Sequence, residues 1–194
     1  MVRSLALVVV LAGTARADSF AELGVGVMFP VANDNWTNVV DASPKLAVRG
    51  GSGRGDVEGF LSFDWTPAQA KTEPLFTNLS YNRFRILVGA QLRHAVAPTI
   101  RLSARLGVGV DIAHAGYEVD VLGTTASGSD TSTGFAFEPG VGIWYALGST
   151  ELGFELAFPI ATHDQQANAQ TNQFEFHYTS VDIDLVGTVR FSAL

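Results

Sequence analysis

Hydrophobic and polar residues alternate one by one in eight segments of this chain, each about the length of a β-strand. In the longest segment, residues 100–115, aliphatic side chains hold the even positions from Ile100 to Ile112, and Arg101, Arg105 and Asp111 are among the odd ones. A period of two places successive side chains on opposite faces of a strand, so this pattern predicts a strand and excludes a helix. It predicts seven more strands, at about residues 19–29, 45–51, 57–65, 83–92, 135–147, 151–158 and 176–191.

The polar face of these strands carries charges of both signs. A soluble sandwich buries its apolar face, whereas charges that could pair across a lumen favour a barrel with its apolar face outward in lipid. Eight strands enclose an interior just wide enough for side chains, so we predict a lumen filled by a network of paired charges. The charges assigned to the lumen are Lys45, Arg49, Arg83, Arg85, Arg101, Arg105, Arg190, Glu22, Glu58, Asp64, Asp111, Glu138, Glu151, Glu155, Asp182 and Asp184.

The connections between the strands alternate in length. Short ones are predicted at residues 51–56, 93–98 and 148–150, and long polar ones at residues 30–43, 66–79, 116–133 and 161–173. This alternation is typical of an up-and-down membrane barrel with periplasmic turns and external loops. Aromatic residues at the strand ends indicate interfacial girdles. They are Phe29, Trp65, Tyr81, Tyr117, Phe135, Phe158, Phe176 and Tyr178 near the long loops, and Tyr145 and Phe191 at the other ends.

The first seventeen residues have the pattern of a secretory signal: a basic start, an apolar run over residues 5–12, and Ala15 and Ala17 before the cleavage point. Eight apolar residues are far fewer than the ~20 that a membrane-spanning helix needs. We therefore predict a signal peptide at 1–17 and an outer-membrane barrel domain at 18–194. The mature chain keeps 10 basic and 19 acidic residues, a net charge near −9 that disfavours nucleic acid as a partner.

The sequence contains no cysteine, so it offers neither a disulfide framework nor a thiolate metal site. Hydrophobic residues make up 47% of the chain, yet after the signal no apolar stretch approaches the length of a helical span. A closed barrel is the other structure that satisfies every backbone group within a bilayer.

The full pattern resembles the eight-stranded outer-membrane barrels of Gram-negative bacteria, typified by the OmpA transmembrane domain, OmpX and OmpW. The last strand resembles their C-terminal assembly signal, because hydrophobic residues precede Phe191 at alternating positions; Gly187 interrupts the series and residues 192–194 follow the aromatic. The resemblance implies an all-β, antiparallel, up-and-down transmembrane barrel in the bacterial outer membrane. Its expected partners are outer-membrane lipid, lipopolysaccharide and the assembly machinery, with an extracellular ligand possible at the long loops.

Catalytic candidates are limited to four histidines: His94, His114, His163 and His177. Some barrels of this size modify lipid A with a histidine, a serine and a carboxylate near the outer rim. His177 with Ser180, and His163 with Asp164, fall at that rim, but a three-residue spacing places His177 and Ser180 on opposite faces. We interpret these histidines as solvated rim residues and assign no catalytic, cofactor or metal residue.

Two further patterns have ordinary explanations. The sequence Arg54-Gly55-Asp56 is a cell-adhesion tripeptide, but it consists of turn-forming residues at a predicted turn. Acidic residues in the long loops could bind divalent cations, and such charges more often keep loops solvated. These acids are Asp34, Asp41, Glu118, Asp120 and Asp130.

The leading hypothesis is a non-enzymatic outer-membrane protein whose barrel is a structural platform for its loops. The alternatives are a narrow channel or binder of small hydrophobic molecules, using the apolar inward residues Met28, Phe60, Leu87 and Trp144, and an enzyme that modifies lipid A. A soluble lipocalin-like barrel would require an apolar interior, which the charged inward face contradicts.

Overall fold

The computed structural model describes residues 18–32, 37–38, 40–69, 78–121, 124–165 and 176–192. The predicted signal peptide, residues 1–17, lies outside the described residues. None of the described helical residues belongs to a helix long and apolar enough to cross a membrane.

The described residues form nine strand segments in one antiparallel sheet. They are β1 (Asp18–Ala32), β2 (Ser43–Arg54), β3 (Val57–Gln69), β4 (Asn78–Ala97), β5 (Ile100–Val121), β6 (Thr124–Leu147), β7 (Thr150–Ala157), β8 (Ile160–Gln165) and β9 (Phe176–Ser192). The segments pair around the sheet, and β1 pairs with β9 from Phe20↔Ser192 to Ala32↔Val181, which closes the ring.

The segments β7 and β8 are two halves of one barrel strand. Both lie between β6 and β9, and they are separated by Phe158 and Pro159. Proline has no N–H for the ladder, but its carbonyl still accepts a hydrogen bond from the Asp182 amide at 3.0 Å. The described chain is therefore an eight-stranded antiparallel up-and-down barrel, and the predicted fold class is confirmed.

The two faces of the wall differ as the alternation predicted. On β5, the Arg105 residue is 7% exposed, whereas its neighbour Leu106 is 48% exposed. The same alternation runs along β1, where Glu22 and Met28 are buried and Leu23 is exposed. Apolar side chains therefore form the outer surface of the barrel and charged side chains fill its interior.

The short turns are tighter than predicted. Three two-residue turns, Gly55–Asp56, Pro98–Thr99 and Gly148–Ser149, connect neighbouring strands at one end of the barrel. We call this the short-turn end. Gly55 and Gly148 have φ angles of 66° and 70°, a region that glycine enters without steric cost. The predicted turn at 93–98 is thus strand as far as Ala97, and this extension places Arg93 in the lumen.

One predicted long loop, residues 116–133, is paired β-strand instead over its described residues, 116–121 and 124–133; we call this paired extension the hairpin. The β5–β6 ladder continues from Gly116↔Ser129 to Val121↔Thr124 beyond the apolar belt. The outward positions of this extension carry polar residues, among them Glu118, Asp120, Ser127 and Ser129, so the apolar outward face that identifies a membrane strand ends although the backbone still pairs. This hairpin projects from the opposite end of the barrel, which we call the long-loop end.

The prediction of aromatic girdles holds for some residues and is wrong for Tyr81 and Tyr178. Phe135, Tyr145 and Phe191 are exposed on the outer surface. The hydroxyls of Tyr81 and Tyr178 instead hydrogen-bond each other at 3.0 Å inside the barrel. Their positions share the inward parity of the lumen charges on β4 and β9. The outward aromatics Phe29 and Phe158 are also exposed, Trp65 is half-buried, and the side chains of Tyr117 and Phe176 lie outside the described part.

Candidate functional site in the lumen

Charged side chains from all eight strands meet inside the barrel. Among the described residues, eight cations and nine carboxylates point inward, and almost all are buried. The cations are Lys45, Arg49, Arg83, Arg85, Arg93, Arg101, Arg105 and Arg190; the carboxylates are Glu22, Glu58, Asp64, Asp111, Glu138, Glu151, Glu155, Asp182 and Asp184.

Glu151 anchors the network at the short-turn end. Its carboxylate accepts hydrogen bonds from Arg93 and, at 2.5 Å, from Arg101, whose side chain is 44% exposed. Arg190 binds Glu58 at 2.5 Å one layer deeper. These side chains line a cup of about 530 Å³ that is also bordered by two of the short turns, Gly55–Asp56 and Gly148–Ser149.

A chain of ion pairs continues through the middle of the barrel. Arg49 contacts Glu22 at 2.5 Å and Glu155 at 3.1 Å, and so joins two strands across the lumen. Glu155 also contacts Arg105 Nε at 2.9 Å, and the Nη1 atom of Arg105 donates to Glu138 at 2.5 Å. Each of these charges has an opposite partner within hydrogen-bonding distance.

Glu138 is the branch point toward the long-loop end. It contacts Arg85 at 2.7 Å and lies 3.8 Å from Lys45 Nζ. Lys45 in turn lies between Asp64, at 2.7 Å, and Asp184, at 2.5 Å. Three carboxylates therefore surround one buried ammonium group, with a guanidinium beside it.

Asp111 holds the last layer of charges together. Arg83 Nε reaches both oxygens of this carboxylate, at 2.8 and 2.7 Å, and Arg85 reaches one of them at 3.1 Å. Arg83 also donates to Asp182 at 2.5 Å and to the Ser180 hydroxyl at 2.6 Å. Arg83 and Arg85 thus find a shared partner on the adjacent strand, in addition to the carboxylates across the lumen.

Arg93 belongs to this network but is not among the residues singled out from the sequence. The pattern placed it in a turn, because the apolar alternation ends at Leu92 and the next outward residue is His94. The guanidinium packs over the Trp144 ring at 4.9 Å and binds Glu151. The inward residues of β4 hold odd positions, and continuing this alternation past Gln91 was the only signal that could have placed Arg93 in the lumen.

The four apolar inward residues do not form one binding site. Phe60 and Leu87 pack together in one cluster, while Met28 belongs to a second cluster with Val40 and Ala68. Trp144 lies apart from both and donates to the Ser103 hydroxyl at 2.8 Å. A Cβ at Gly153 would collide with this indole ring, so the glycine leaves the space that the indole fills.

His163 is fully buried, so its interpretation as a solvated rim residue is wrong. Its Nδ1 atom lies 3.0 Å from the Ser132 hydroxyl and its Nε2 atom lies 3.2 Å from Asp111. Asp164, its predicted companion, is exposed on the opposite face of β8. The sequence could not reveal this grouping, because its members lie on three strands whose register it does not show.

The other histidine candidates form no such group. His94 and His114 are exposed and contact Asp56 at 3.1 Å and Thr131 at 2.8 Å. The side chain of His177 lies outside the described part. Its predicted companion Ser180 is buried against Arg83.

The remaining predicted motifs take ordinary places. Arg54 ends β2, and Gly55 and Asp56 form the following turn. Asp34 lies outside the described residues, while Asp41, Glu118 and Asp120 are exposed. Within the described ranges, no group of three or more histidine or carboxylate side chains is placed to hold a metal ion.

Comparison with known proteins shows likeness in fold and none in sequence. No family model matches the chain, and no curated protein sequence matches it. Three solved structures illustrate the likeness. A major outer membrane protein from Thermus thermophilus superposes with a TM-score of 0.61 and 11% identity, covering 92% of this chain and 100% of that chain. Neisserial surface protein A superposes with a TM-score of 0.54 and 11% identity, covering 90% of this chain and 96% of that chain. OprG from Pseudomonas aeruginosa superposes with a TM-score of 0.51 and 14% identity, covering 91% of this chain and 97% of that chain.

The class of protein defined by the fold follows directly. The closed ring, the apolar outer surface and the charged interior are those of a small transmembrane β-barrel. More particularly, the chain has the fold of the eight-stranded outer-membrane barrels, which confirms the resemblance seen in the sequence.

Proposed function

We propose that this protein is an integral outer-membrane protein whose plugged barrel is a rigid platform for the structures at its long-loop end. The observation that carries the proposal is the unbroken ion-pair network from Arg101 at the short-turn end to Asp182 near the long-loop end. A lumen filled by paired side chains stiffens the wall and leaves little room for a solute. The apolar outer surface supports placement in lipid.

The long-loop end supplies the surface that such a platform would present. Strands β5 and β6 are 22 and 24 residues long and stay paired well beyond the apolar belt. Exposed polar residues, including Glu118, Asp120 and Thr131, lie on this hairpin. An external ligand would meet a preformed two-stranded hairpin there, at a low cost in ordering.

The experiment that tests the plugged lumen is ion conductance in planar bilayers. We expect the wild-type barrel to give no steady current, because each lumen charge already has a partner and a passing ion would have to break several such pairs. Replacing both Arg93 and Glu151 with alanine widens the cup at the short-turn end but leaves the deeper ion pairs in place. We therefore expect this double variant to give no steady current either. Reproducible ion-selective steps from the wild-type protein would contradict the proposal and favour the narrow-channel alternative.

A binder of hydrophobic molecules gains no comparable support. Phe60 and Trp144 lie under the guanidinium groups of Arg49 and Arg93, at 5.2 and 4.9 Å. These two apolar inward residues are thus in use within the plug.

The assembly signal predicted at Phe191 supports a separate test. Phe191 is exposed on the outer face of the closing strand β9. If the assembly machinery reads this ring, Phe191→Ala should lower the amount of inserted barrel and increase degradation in the periplasm. Tyr145→Ala is the matched control, since Tyr145 is equally exposed at the same end but lies on β6. Equal outer-membrane levels of both variants and the wild type, measured by immunoblot, would show that recognition lies elsewhere.

A further inference from the structure

A serine, a histidine and an aspartate form a linear arrangement at the long-loop end of the lumen. Ser132 Oγ lies 3.0 Å from His163 Nδ1, and His163 Nε2 lies 3.2 Å from Asp111 Oδ1. The second contact is long and imperfectly aligned, as catalytic hydrogen bonds often are before a substrate binds. The three residues come from β6, β8 and β5, and only the barrel register brings them together.

The surroundings of Asp111 fix which nitrogen of the imidazole carries the proton. Arg83 and Arg85 both bind this carboxylate, so they hold it as an anion that can only accept a hydrogen bond. The neutral imidazole therefore places its proton on Nε2, facing Asp111. Its Nδ1 lone pair is left to accept the proton of the Ser132 hydroxyl, which is the geometry that activates a serine nucleophile.

Packing holds the imidazole ring in this orientation. The Tyr178 ring stacks on His163 with centroids 4.6 Å apart and planes 3° from parallel. On the other side of the ring, a Cβ at Gly134 would lie 2.1 Å from the Thr162 carbonyl oxygen and 3.0 Å from His163 Cγ, so β6 can approach β8 this closely only because it has glycine there. The Tyr178 hydroxyl lies within hydrogen-bonding reach of Ser132 and of the Tyr81 hydroxyl, so its proton can serve an oxygen that forms beside the nucleophile.

A buried apolar cluster lies next to this group. Met28, Val40 and Ala68 form a buried cluster against which Tyr81 and Tyr178 pack. Tyr178 thus contacts the nucleophile on one side and the apolar cluster on the other. A molecule that reached Ser132, which is 7% exposed, would meet aliphatic side chains beside a reactive hydroxyl.

We propose that Ser132, His163 and Asp111 form a hydrolytic site for carboxylic esters with an apolar acyl chain. Ser132 Oγ attacks the ester carbonyl while its proton passes to His163 Nδ1, and the oxyanion takes a hydrogen bond from Tyr178. The intermediate expels the alcohol, which leaves with the proton from His163. Water then attacks the acyl-serine, its proton passes through His163 to Ser132 Oγ, and the carboxylic acid is released. This activity is additional to the structural role of the lumen and uses only its long-loop end.

Labelling with an alkyl fluorophosphonate tests the nucleophile directly. The refolded barrel in detergent micelles should be labelled on Ser132, as located by peptide mass spectrometry, and Ser132→Ala and His163→Gln should abolish the label. Ser180→Ala is the matched control and should keep it, because Ser180 is also a buried serine at this end but is bound by Arg83 and not by a histidine. A heat-modifiable gel shift verifies that each variant is folded. A folded wild-type barrel that takes no label, or takes it on another residue, would overturn the proposal.

Ester hydrolysis provides the second measurement and identifies the substrate class. p-Nitrophenyl palmitate and p-nitrophenyl acetate, each presented in micelles, should both be cleaved, and Ser132→Ala should lower the rate about 1,000-fold or more. If the apolar cluster receives the acyl chain, the palmitate ester should have the higher kcat/KM. Hydrolysis of a phospholipid in the same micelles would identify a membrane lipid as the source of the acyl chain. Hydrolysis of the p-nitrophenyl esters alone would identify a soluble ester. A rate unchanged in Ser132→Ala would contradict the proposal.

Discussion

Replacing Arg105 with methionine is expected to destabilise the folded barrel by about 3–5 kcal/mol, the cost of leaving a buried charge without its partner. Arg105 bridges Glu138 at 2.5 Å and Glu155 at 2.9 Å, and all three side chains are buried. Methionine retains most of the volume and apolar contact of the arginine stem, so the loss reports the charge. Urea unfolding of the barrel in lipid vesicles, followed by tryptophan fluorescence, measures the change in the free energy of unfolding.

A double-mutant cycle separates the ion pair from the packing. Arg105→Met combined with Glu138→Met should cost less than the sum of the two single variants by about 0.5–3 kcal/mol, because neither charge is then left alone. Arg54→Met, at an exposed position next to a turn, is the control and should change stability by no more than about 0.5 kcal/mol. Coupling energies near zero for Arg105 with both Glu138 and Glu155 would mean that water screens the interior.

Placing an arginine on the outer surface should be almost as costly. Val108 lies on the outward face of β5 near the middle of the apolar belt and is 39% exposed. Val108→Arg would bring a guanidinium to the bilayer midplane, so the free energy of unfolding in lipid should fall by about 2–4 kcal/mol.

Depth in the bilayer provides the control for this second prediction. Val57 is 54% exposed on the same outer surface but follows directly after the Gly55–Asp56 turn. At this interfacial position, Val57→Arg should cost only about 0–1 kcal/mol. If the two variants lost equal stability, or if neither lost any, the outer surface would not be in contact with lipid.

The alternation of residue types was sufficient to predict the strands and their two faces. On β5 the pattern from Ile100 to Ile112 extends over six alternations. One face of the strand must meet lipid and the other must carry the paired charges, so apolar and polar residues keep to their own faces along the whole strand. The extents of the strands were harder to predict, because polar residues pair as readily as apolar ones once they leave the bilayer. Arg93 and the hairpin beyond Gly116 were assigned to loops for that reason.

Contacts across the lumen could not be read from the sequence. Which carboxylate meets Arg105 depends on the stagger of all eight strands, and a one-residue change in register would alter every partner. The grouping of Ser132, His163 and Asp111 could not be predicted from the sequence for the same reason. Tyr81 and Tyr178 show the opposite case: they were assigned to the girdles, although their inward parity on β4 and β9 could have been read from the sequence.

The orientation of the two faces is the central claim, and single-cysteine spin labelling tests it most directly. The chain has no cysteine of its own, so one nitroxide can be placed at Ala104, Leu106, Val108, Val110 or Ile112 in turn. In lipid vesicles, we expect every label to be more accessible to oxygen than to a water-soluble nickel chelate, with the greatest difference near Val108. Labels at Leu106 and Val108 that are more accessible to the nickel chelate than to oxygen would contradict the account, because the apolar face would then lie in water.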